Sequence, residues 1–319
     1  MRILITGSSG QIGTNLGLFL QSQGHDILGI DKRSNTWTDQ IETIIQDLSI
    51  PYHNFENGIG DVRYPGSFDM VVHLAAYAKV HELVDYPGRA LENTIMVHNA
   101  LEYCRHQNIP IIFGSSRETY GNVEQDAENI SEEMANFFTA ASPYSASKLA
   151  GEAMVYAYAR CYDIPYLVFR FSNVYGRYDN DIERMERVIP LFIHKMRQGE
   201  SVTVYGRDKL LDFTYVDDCI NGIARGVHAL AKGQVQNETM NLAFGQGNSL
   251  IKMTDYISDA LGIVPNMVVE PSQRGEVKHY IANISKAGRL LGYEPTTPLQ
   301  EGIQKAVTWS SEWEAGSRK

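Results

Sequence analysis

The chain has 319 residues, of which 43% are hydrophobic and 21% charged, enough apolar material for one large domain with an appendage or for two domains. Its formal net charge of −10 at pH 7 argues against a nucleic-acid or membrane partner, because such surfaces need clustered lysine and arginine. Three widely spaced cysteines and no apolar run near about 20 residues predict a cytoplasmic protein without a disulfide scaffold, metal site, signal peptide or membrane span.

Short β-branched runs alternate with helix-length segments through the first half of the chain. The predicted strands are Arg2–Thr6, Asp26–Asp31, Phe68–Ala75, Ile109–Ser115 and Pro165–Phe171. The predicted helices lie at about Gln11–Gln23, Gly88–His106 and Pro143–Tyr162. This alternation is typical of an α/β fold with a Rossmann-type, doubly wound parallel sheet.

The alternation becomes irregular after about Asn173. The predicted elements there are a helix at Glu186–Arg197, a strand at Ser201–Tyr205, a helix at Val216–Leu230 and a strand at Thr239–Phe244. We therefore predict a Rossmann domain over residues 1–172, with a later segment at about 206–235 returning to it. Residues 173–319 are predicted to form mainly a smaller α/β lobe that binds the substrate.

A glycine-rich turn follows the first predicted strand directly. Gly7, Gly10 and Gly13 flank Gln11 and Ile12, and the turn opens a helix whose N-terminus would face negative charge. Glycines at these places let the backbone approach a pyrophosphate. The position between a strand and a helix therefore predicts a dinucleotide-binding turn rather than an ordinary surface turn.

An acidic residue closes the second predicted strand. Asp31 follows the turn by about 20 residues, where a carboxylate accepts hydrogen bonds from the adenosine ribose and repels a 2′-phosphate. This indicates NAD as the cofactor, although Lys32 and Arg33 are placed to serve the 2′-phosphate of NADP. Asp61, followed by Val62, is predicted either to face the adenine amino group or to cap a loop turn.

Tyr144 and Lys148 are four residues apart, hence on one face of a helix whose start is marked by Ser142-Pro143. The ammonium is expected to lower the pKa of the phenol toward that of a general base. Tyr205 to Lys209 repeats the spacing, but in a loop. Ser116 follows the preceding predicted strand, and ligands of such sheets bind beyond the carboxyl ends of the strands.

With these motifs, nearly the whole chain resembles the extended short-chain dehydrogenase/reductase family, in its NAD-dependent nucleotide-sugar epimerase/dehydratase group. The matching segments are Thr6–Gly13, His73–Ala76, Asn93, Ser115–Gly121, Tyr144–Lys148, Arg170–Gly176 and Asp212–Asp218. The resemblance implies NAD held by Gly7, Gly10, Gln11, Ile12, Gly13, Asp31, Lys32, Asp61, Val62, Leu74, Ala75, Ala76, Tyr144 and Lys148.

The resemblance also implies individual roles. Tyr144 would be the base, Lys148 would hold the nicotinamide ribose, and Ser116 would be the hydroxyl that assists Tyr144. Asn173 would approach the phosphates of the sugar nucleotide, and Asn93 would be structural. A homodimer through the two long helices is implied, with the segment Ala153–Tyr158 serving either as contact or as internal core.

Arg117 departs from the pattern of a 4,6-dehydratase, which has an acidic residue there that protonates the leaving C6 hydroxyl. A guanidinium is always protonated and cannot play that part. If Arg117 points inward it would suit the carboxylate of a uronic acid; otherwise it pairs with other groups or lies in a solvated turn. Glu118 is similar to the glutamate of dehydratases and of nucleotide-uronate decarboxylases.

A second departure concerns the arginines that bind phosphate in this family. Leu211 stands before Asp212 where many relatives have such an arginine, and Arg207 or Lys209 is expected to substitute for it. Arg274 resembles the family's other phosphate-binding arginine.

These residues favour an NAD-dependent nucleotide-sugar 4-epimerase, acting on a UDP-hexose or UDP-uronate through a transient C4 ketone. The alternative is a nucleotide-uronate decarboxylase or a nucleotide-sugar dehydratase that uses Glu118 near C5 or C6. A third hypothesis is a non-catalytic NAD-binding regulator, against which the retained Tyr144 and Lys148 argue.

Overall fold

A computed structural model describes residues 1–51, 67–121, 129–179, 187–272 and 277–317. The strands in these ranges are β1 (Arg2–Thr6), β2 (Asp26–Asp31), β3 (Thr43–Ile45), β4 (Met70–His73), β5 (Ile111–Ser116), β6 (Tyr166–Phe171), β7 (Asn173–Tyr175), β8 (Val202–Tyr205), β9 (Leu210–Tyr215), β10 (Glu238–Leu242), β11 (Gly247–Ser249), β12 (Met267–Glu270) and β13 (His279–Tyr280). The α-helices are α1 (Gln11–Ser22), α2 (Val80–Asp85), α3 (Gly88–Gln107), α4 (Pro143–Tyr162), α5 (Val188–Arg197), α6 (Val216–Ala231), α7 (Leu250–Leu261), α8 (Ser285–Leu291) and α9 (Leu299–Ser317).

A parallel sheet forms the centre of the fold. Among the described residues it has seven strands in the order β10-β6-β5-β4-β1-β2-β3. Helices α3 and α4 pack together on one face, and α1 packs against α6 on the other. This architecture confirms the predicted doubly wound α/β fold, whose strands are apolar because helices cover both faces.

The bounds of the elements that carry the site agree closely with those predicted. Helix α4 begins at Pro143 because Ser142 forms a capping box with Ser145, and it ends before Asp163, whose φ is +55°. Strand β4 is shorter than the predicted Phe68–Ala75, although its pairing with β1 extends one hydrogen bond beyond His73. There the amide of Leu74 donates to the Thr6 carbonyl at 3.0 Å.

Two small sheets and the C-terminal helices form the other part of the molecule. Strand β9 pairs with β7, β11 and β13, and β8 pairs with β12. Strand β9 was not predicted, because α6 begins at the next residue with no turn signal between them. Strand β10 and helix α6 belong to the layers of the large sheet although both follow residue 172; the division of the chain into two domains stays a prediction.

Four aromatic side chains join the C-terminal helix to the loops after β2 and β7. The ring of Trp37 lies 5.5 Å from that of Trp309, 4.9 Å from that of Trp313 and 5.9 Å from that of Tyr178, measured between ring centres. Trp309 and Trp313 stack on each other one turn apart on α9. We call these four residues the tryptophan cluster.

In the described part of the chain, no helix is long and apolar enough to cross a membrane. Cys104, Cys161 and Cys219 are free thiols, and two of the three are buried.

Candidate active site

The carboxyl ends of the central strands open onto a cleft of about 990 Å³. The parallel strands all end at this edge, so the loops that follow them meet there. The cleft brings together most of the site residues expected from the sequence, namely Gly7, Gly10, Gln11, Ile12, Gly13, Asp31, Lys32, Leu74, Ala75, Ala76, Ser116, Arg117, Glu118, Tyr144, Lys148 and Asn173.

The glycine turn lies between β1 and α1 at one end of the cleft. Gly7 has a φ of +75°, and a Cβ there would lie 2.7 Å from the amide nitrogen of Ala75. The amide of Gly10 donates to the Gly7 carbonyl at 3.1 Å, closing the turn. A Cβ on Gly13 would overlap the same carbonyl oxygen. Glycine is therefore needed at these places for the turn to pack closely against itself and against the chain after β4.

Tyr144 and Lys148 project from the first turns of α4 into the middle of the cleft. The ammonium of Lys148 lies 5.9 Å from the centre of the Tyr144 ring and donates to the carbonyl of Gly114 at 2.7 Å. The hydroxyl of Ser116, at the end of β5, forms a hydrogen bond with the phenol of Tyr144. The three predicted catalytic groups are thus in mutual reach.

Burial controls the protonation of this group of residues. It raises the pKa of Tyr144 to about 12, and the hydrogen bond from Ser116 only partly opposes this effect. Burial also lowers the pKa of Lys148 to about 8, against the opposing charge of Glu152. In the free protein, loss of solvent around the phenolate outweighs the favourable charges of Arg187 and Arg117, so the pKa of Tyr144 lies above its ordinary value; the effect of Lys148 on it stays a prediction.

Arg117 and Glu118 point inward beside Ser116 and form an ion pair with a nitrogen-to-oxygen distance of 2.9 Å. The Nε of Arg117 also donates to Oδ1 of Asn173 at 3.2 Å, and the amide nitrogen of Asn173 donates to the carbonyl of Asp212. Among the described residues, Nη1 of Arg117 and Oε2 of Glu118 are buried without a hydrogen-bond partner. Two unused polar atoms therefore remain near Tyr144, on whose pKa the charges of Arg117 and Glu118 act.

A buried polar network links α4 to strands β5 and β6. Glu152 accepts from Nε of Arg170 at 2.9 Å, from Nη2 of Arg170 at 2.6 Å, from Ser115 at 2.5 Å and from Tyr156 at 3.0 Å. Arg170 also donates to the hydroxyl of Tyr120. The sequence interpretation missed this network, although Glu152 follows Lys148 by four residues, a helical spacing that would have placed them on one face.

A model of the NAD dependent epimerase/dehydratase family matches residues 3–243. The chain belongs to this family. dTDP-glucose 4,6-dehydratase of Escherichia coli is 29% identical, over 97% of this chain and 92% of that one. UDP-glucose 4-epimerase of Thermotoga maritima, solved with UDP-glucose, superposes with a TM-score of 0.86 at 26% identity, over 98% of this chain and 100% of that one. UDP-glucuronic acid 4-epimerase of Bacillus cereus, solved with UDP-glucuronic acid and NAD, gives 0.84 at 26% identity, over the same shares.

The cleft fits NAD, the cofactor of the epimerase/dehydratase family. The glycine turn lines the cleft and leads directly into the N-terminus of α1, where Gly10 is the N-cap and no side chain caps the helix. Asp31 closes β2 beside the turn, where its carboxylate accepts from the amides of Ser9 at 3.0 Å and Arg33 at 3.2 Å and keeps lone pairs for further donors. Lys32 lines the cleft with its ammonium 3.8 Å from the centre of the Tyr77 ring.

The Gly13→Ala variant is expected to lose NAD binding, because its Cβ cannot coexist with the Gly7 carbonyl and must distort the turn. Gly88→Ala at the start of α3 is the matched control, since a Cβ there meets no atom within 4 Å. Isothermal titration with NAD compares the two. Equal affinity in both variants would contradict a cofactor site at this turn.

Arg187 and Asp179 also line the cleft, and neither was predicted as a site residue. Arg187 donates to Oε1 of Gln11 at 3.0 Å and to the carbonyl of Val174, and it pairs with Asp179 at 3.3 Å. Burial raises the pKa of Asp179 to about 6. In the sequence, Arg187 ends a run of mixed charge at 183–187, a pattern more typical of a solvated face.

Four predicted site residues are not among the described residues that line the cleft. Arg207 is exposed in the turn between β8 and β9 and does not line it. Asp61, Val62 and Arg274 fall outside the described residues. The arginines that bind the phosphates of a sugar nucleotide therefore stay predictions.

Proposed function

We propose that the protein is an NAD-dependent 4-epimerase of UDP-sugars. The observation that carries the proposal is the complete set of Ser116, Tyr144 and Lys148 in one cleft with the glycine turn. The Thermotoga maritima and Bacillus cereus structures, described as UDP-sugar 4-epimerases, support it with the same fold over nearly the whole chain.

Three residues of the cleft have distinct roles in the oxidation and reduction of the sugar at C4. Bound NAD supplies the acceptor and donor of hydride. Tyr144 takes the proton of the C4 hydroxyl and later returns it, while the Ser116 hydroxyl, with one donor and two acceptor lone pairs, relays a hydrogen bond between the sugar oxygen and Tyr144. Lys148, held by the Gly114 carbonyl, places a cation that favours the phenolate and reaches the ribose side of the cofactor.

A high pKa of Tyr144 in the free protein is consistent with this cycle. At about 12 the phenol stays protonated until positive charge enters the cleft. Because the tyrosine is buried, a cation brought beside it acts through a medium of low dielectric constant and has a large effect. Activation of the base is therefore expected to follow cofactor binding.

The second candidate is a decarboxylase or dehydratase that uses Glu118. Its carboxylate faces the cleft and has one oxygen without a partner among the described residues, and the Escherichia coli relative is described as a 4,6-dehydratase. Against it stands Arg117, which holds the other oxygen of Glu118 and cannot protonate a leaving hydroxyl.

Incubation of the purified protein with UDP-glucose, UDP-N-acetylglucosamine and UDP-glucuronate, followed by NMR, separates these reactions. The epimerase produces the C4-inverted sugar nucleotide without loss of mass. Release of carbon dioxide or water, or a product that is not inverted at C4, would overturn the first proposal in favour of the second.

We further propose a homodimer through α3 and α4, in the cytoplasm, where free thiols such as the three here are kept reduced. Leu91 on α3 is 66% exposed and Tyr162 at the end of α4 is 48% exposed. The segment Ala153–Tyr158 supports the contact only in part, because Val155 is core and Tyr158 donates internally to Glu102.

Leu91→Glu is expected to shift the protein from dimer to monomer, because the charge cannot be buried at low cost between two helices. Light scattering after size-exclusion chromatography measures the mass. Val264 is 94% exposed and lies outside these helices, so Val264→Glu serves as the control and should leave the mass unchanged. A monomeric wild-type protein would contradict the dimer.

A further inference from the structure

We propose that the Arg117–Glu118 ion pair makes the sugar pocket select a neutral sugar and reject a sugar carboxylate. The preferred substrate class is then a UDP-hexose rather than a UDP-uronate. This inference rests on the proposed function and names the substrate class of that same site.

The geometry of the pair leaves one donor atom and one acceptor atom without a partner among the described residues. Arg117 uses Nε on Asn173 and Nη2 on Glu118, so that Nη1 remains. Glu118 uses Oε1 on Arg117, so that Oε2 remains. Both side chains are largely buried, with 13% and 6% of their surfaces exposed, and the two unused atoms have no other partner among the described residues.

The pair lies next to the atoms that react. Ser116, which precedes Arg117, bonds to the phenol of Tyr144, and the charges of Arg117 and Glu118 both act on the pKa of that phenol. With C4 of the sugar at Tyr144, the C6 group is two bonds away. A charge on C6 is then close to the reacting atoms, and its interaction with Arg117 and Glu118 is what the experiment below measures.

A hydroxyl group complements the two unused atoms. It can accept from Nη1 of Arg117 and donate to Oε2 of Glu118, whereas a carboxylate can only accept. An unpaired guanidinium would attract a carboxylate, but Glu118 at 2.9 Å already neutralises Arg117. A uronate would thus place a second negative charge beside Glu118 in a buried cleft.

Among the described residues, the other charged groups near the pair do not reverse this balance, and Lys148 is held against β5 by the carbonyl of Gly114. Asp212 also lies close enough for Arg117 to act on its pKa, and it adds negative charge when ionised. Arg187 is the further cation that acts on Tyr144, but it is already bound to Gln11 and paired with Asp179. Neither group offers an uncommitted positive charge to a sugar carboxylate.

The test compares UDP-glucose with UDP-glucuronate, as kcat/KM for C4 inversion and as affinity in the presence of NAD. The wild-type protein is expected to favour UDP-glucose by roughly 10- to 100-fold. Glu118→Gln, which removes the charge and keeps the shape, is expected to reduce that preference by about tenfold or more. Glu118→Asp keeps the charge and should keep the preference, and Glu312→Gln on the exposed face of α9 controls for net charge.

Equal affinity for the two sugar nucleotides, or a preference for UDP-glucuronate, in the wild-type protein would overturn the inference without any variant, so it stays testable if Glu118→Gln fails to fold. An unchanged preference in folded Glu118→Gln would also overturn it. If neither compound is inverted at C4 while UDP-glucose still binds better, the proposed reaction fails and the selectivity stands.

Discussion

Tyr144→Phe is expected to lower kcat for C4 inversion by roughly 100- to 10,000-fold, the usual contribution of a positioned acid or base. The variant keeps the ring, its packing and the distance to Lys148, and loses only the hydroxyl that accepts the sugar proton. NAD binding should persist, because the glycine turn and Asp31 are untouched.

The measurement is steady-state turnover of the sugar nucleotide that the wild-type protein inverts, with bound NAD quantified after denaturation. Tyr162→Phe is the matched control, since Tyr162 ends the same helix and is half exposed. Comparable rates in Tyr144→Phe and wild type would remove Tyr144 from the reaction. NAD binding without any turnover in the wild type would instead favour a regulator.

Arg170→Met is expected to destabilise the protein by about 3–5 kcal/mol, the cost of leaving one member of a buried ion pair without its partner. Glu152 would keep its charge under α4 with Ser115 and Tyr156 as its remaining donors. Because Glu152 lies one turn beyond Lys148, the loss should also disturb the base of the active site.

Urea denaturation gives the change in the free energy of unfolding, and Arg160→Met, on the exposed side of α4, is the control. Adding Glu152→Gln to Arg170→Met should recover part of the stability, because it removes the uncompensated charge. A double variant less stable than Arg170→Met would show that the carboxylate is not the source of the cost.

Much of the fold was predictable because the signals were local. An apolar run predicts strand β1, the glycine turn predicts the start of α1, and Ser142-Pro143 predicts the start of α4. The observed bounds of these elements lie within one residue of those expected. Two rules predicted that Ser116, Tyr144 and Lys148 meet: the four-residue spacing puts Tyr144 and Lys148 on one face of a helix, and parallel strands present their carboxyl ends, here with Ser116, at one edge.

The partners of the charged residues were not predictable in the same way. Arg117 meets Asn173, and Glu152 meets Arg170, across distances in sequence that no periodicity spans. The sequence interpretation left open whether Arg117 binds a carboxylate or pairs with another group. The structure shows the pairing with Glu118, a neighbour whose direction depends on the 3₁₀ helix Arg117–Tyr120.

The tryptophan cluster gives the protein an internal optical reporter. The chain has three tryptophans, and all of them lie in this cluster, with Trp37 also lining the cleft. Emission excited selectively in tryptophan therefore originates from one place beside the cofactor. The reduced nicotinamide absorbs where tryptophan emits, so quenching of that emission follows the redox state of the bound cofactor during a single turnover, without any label.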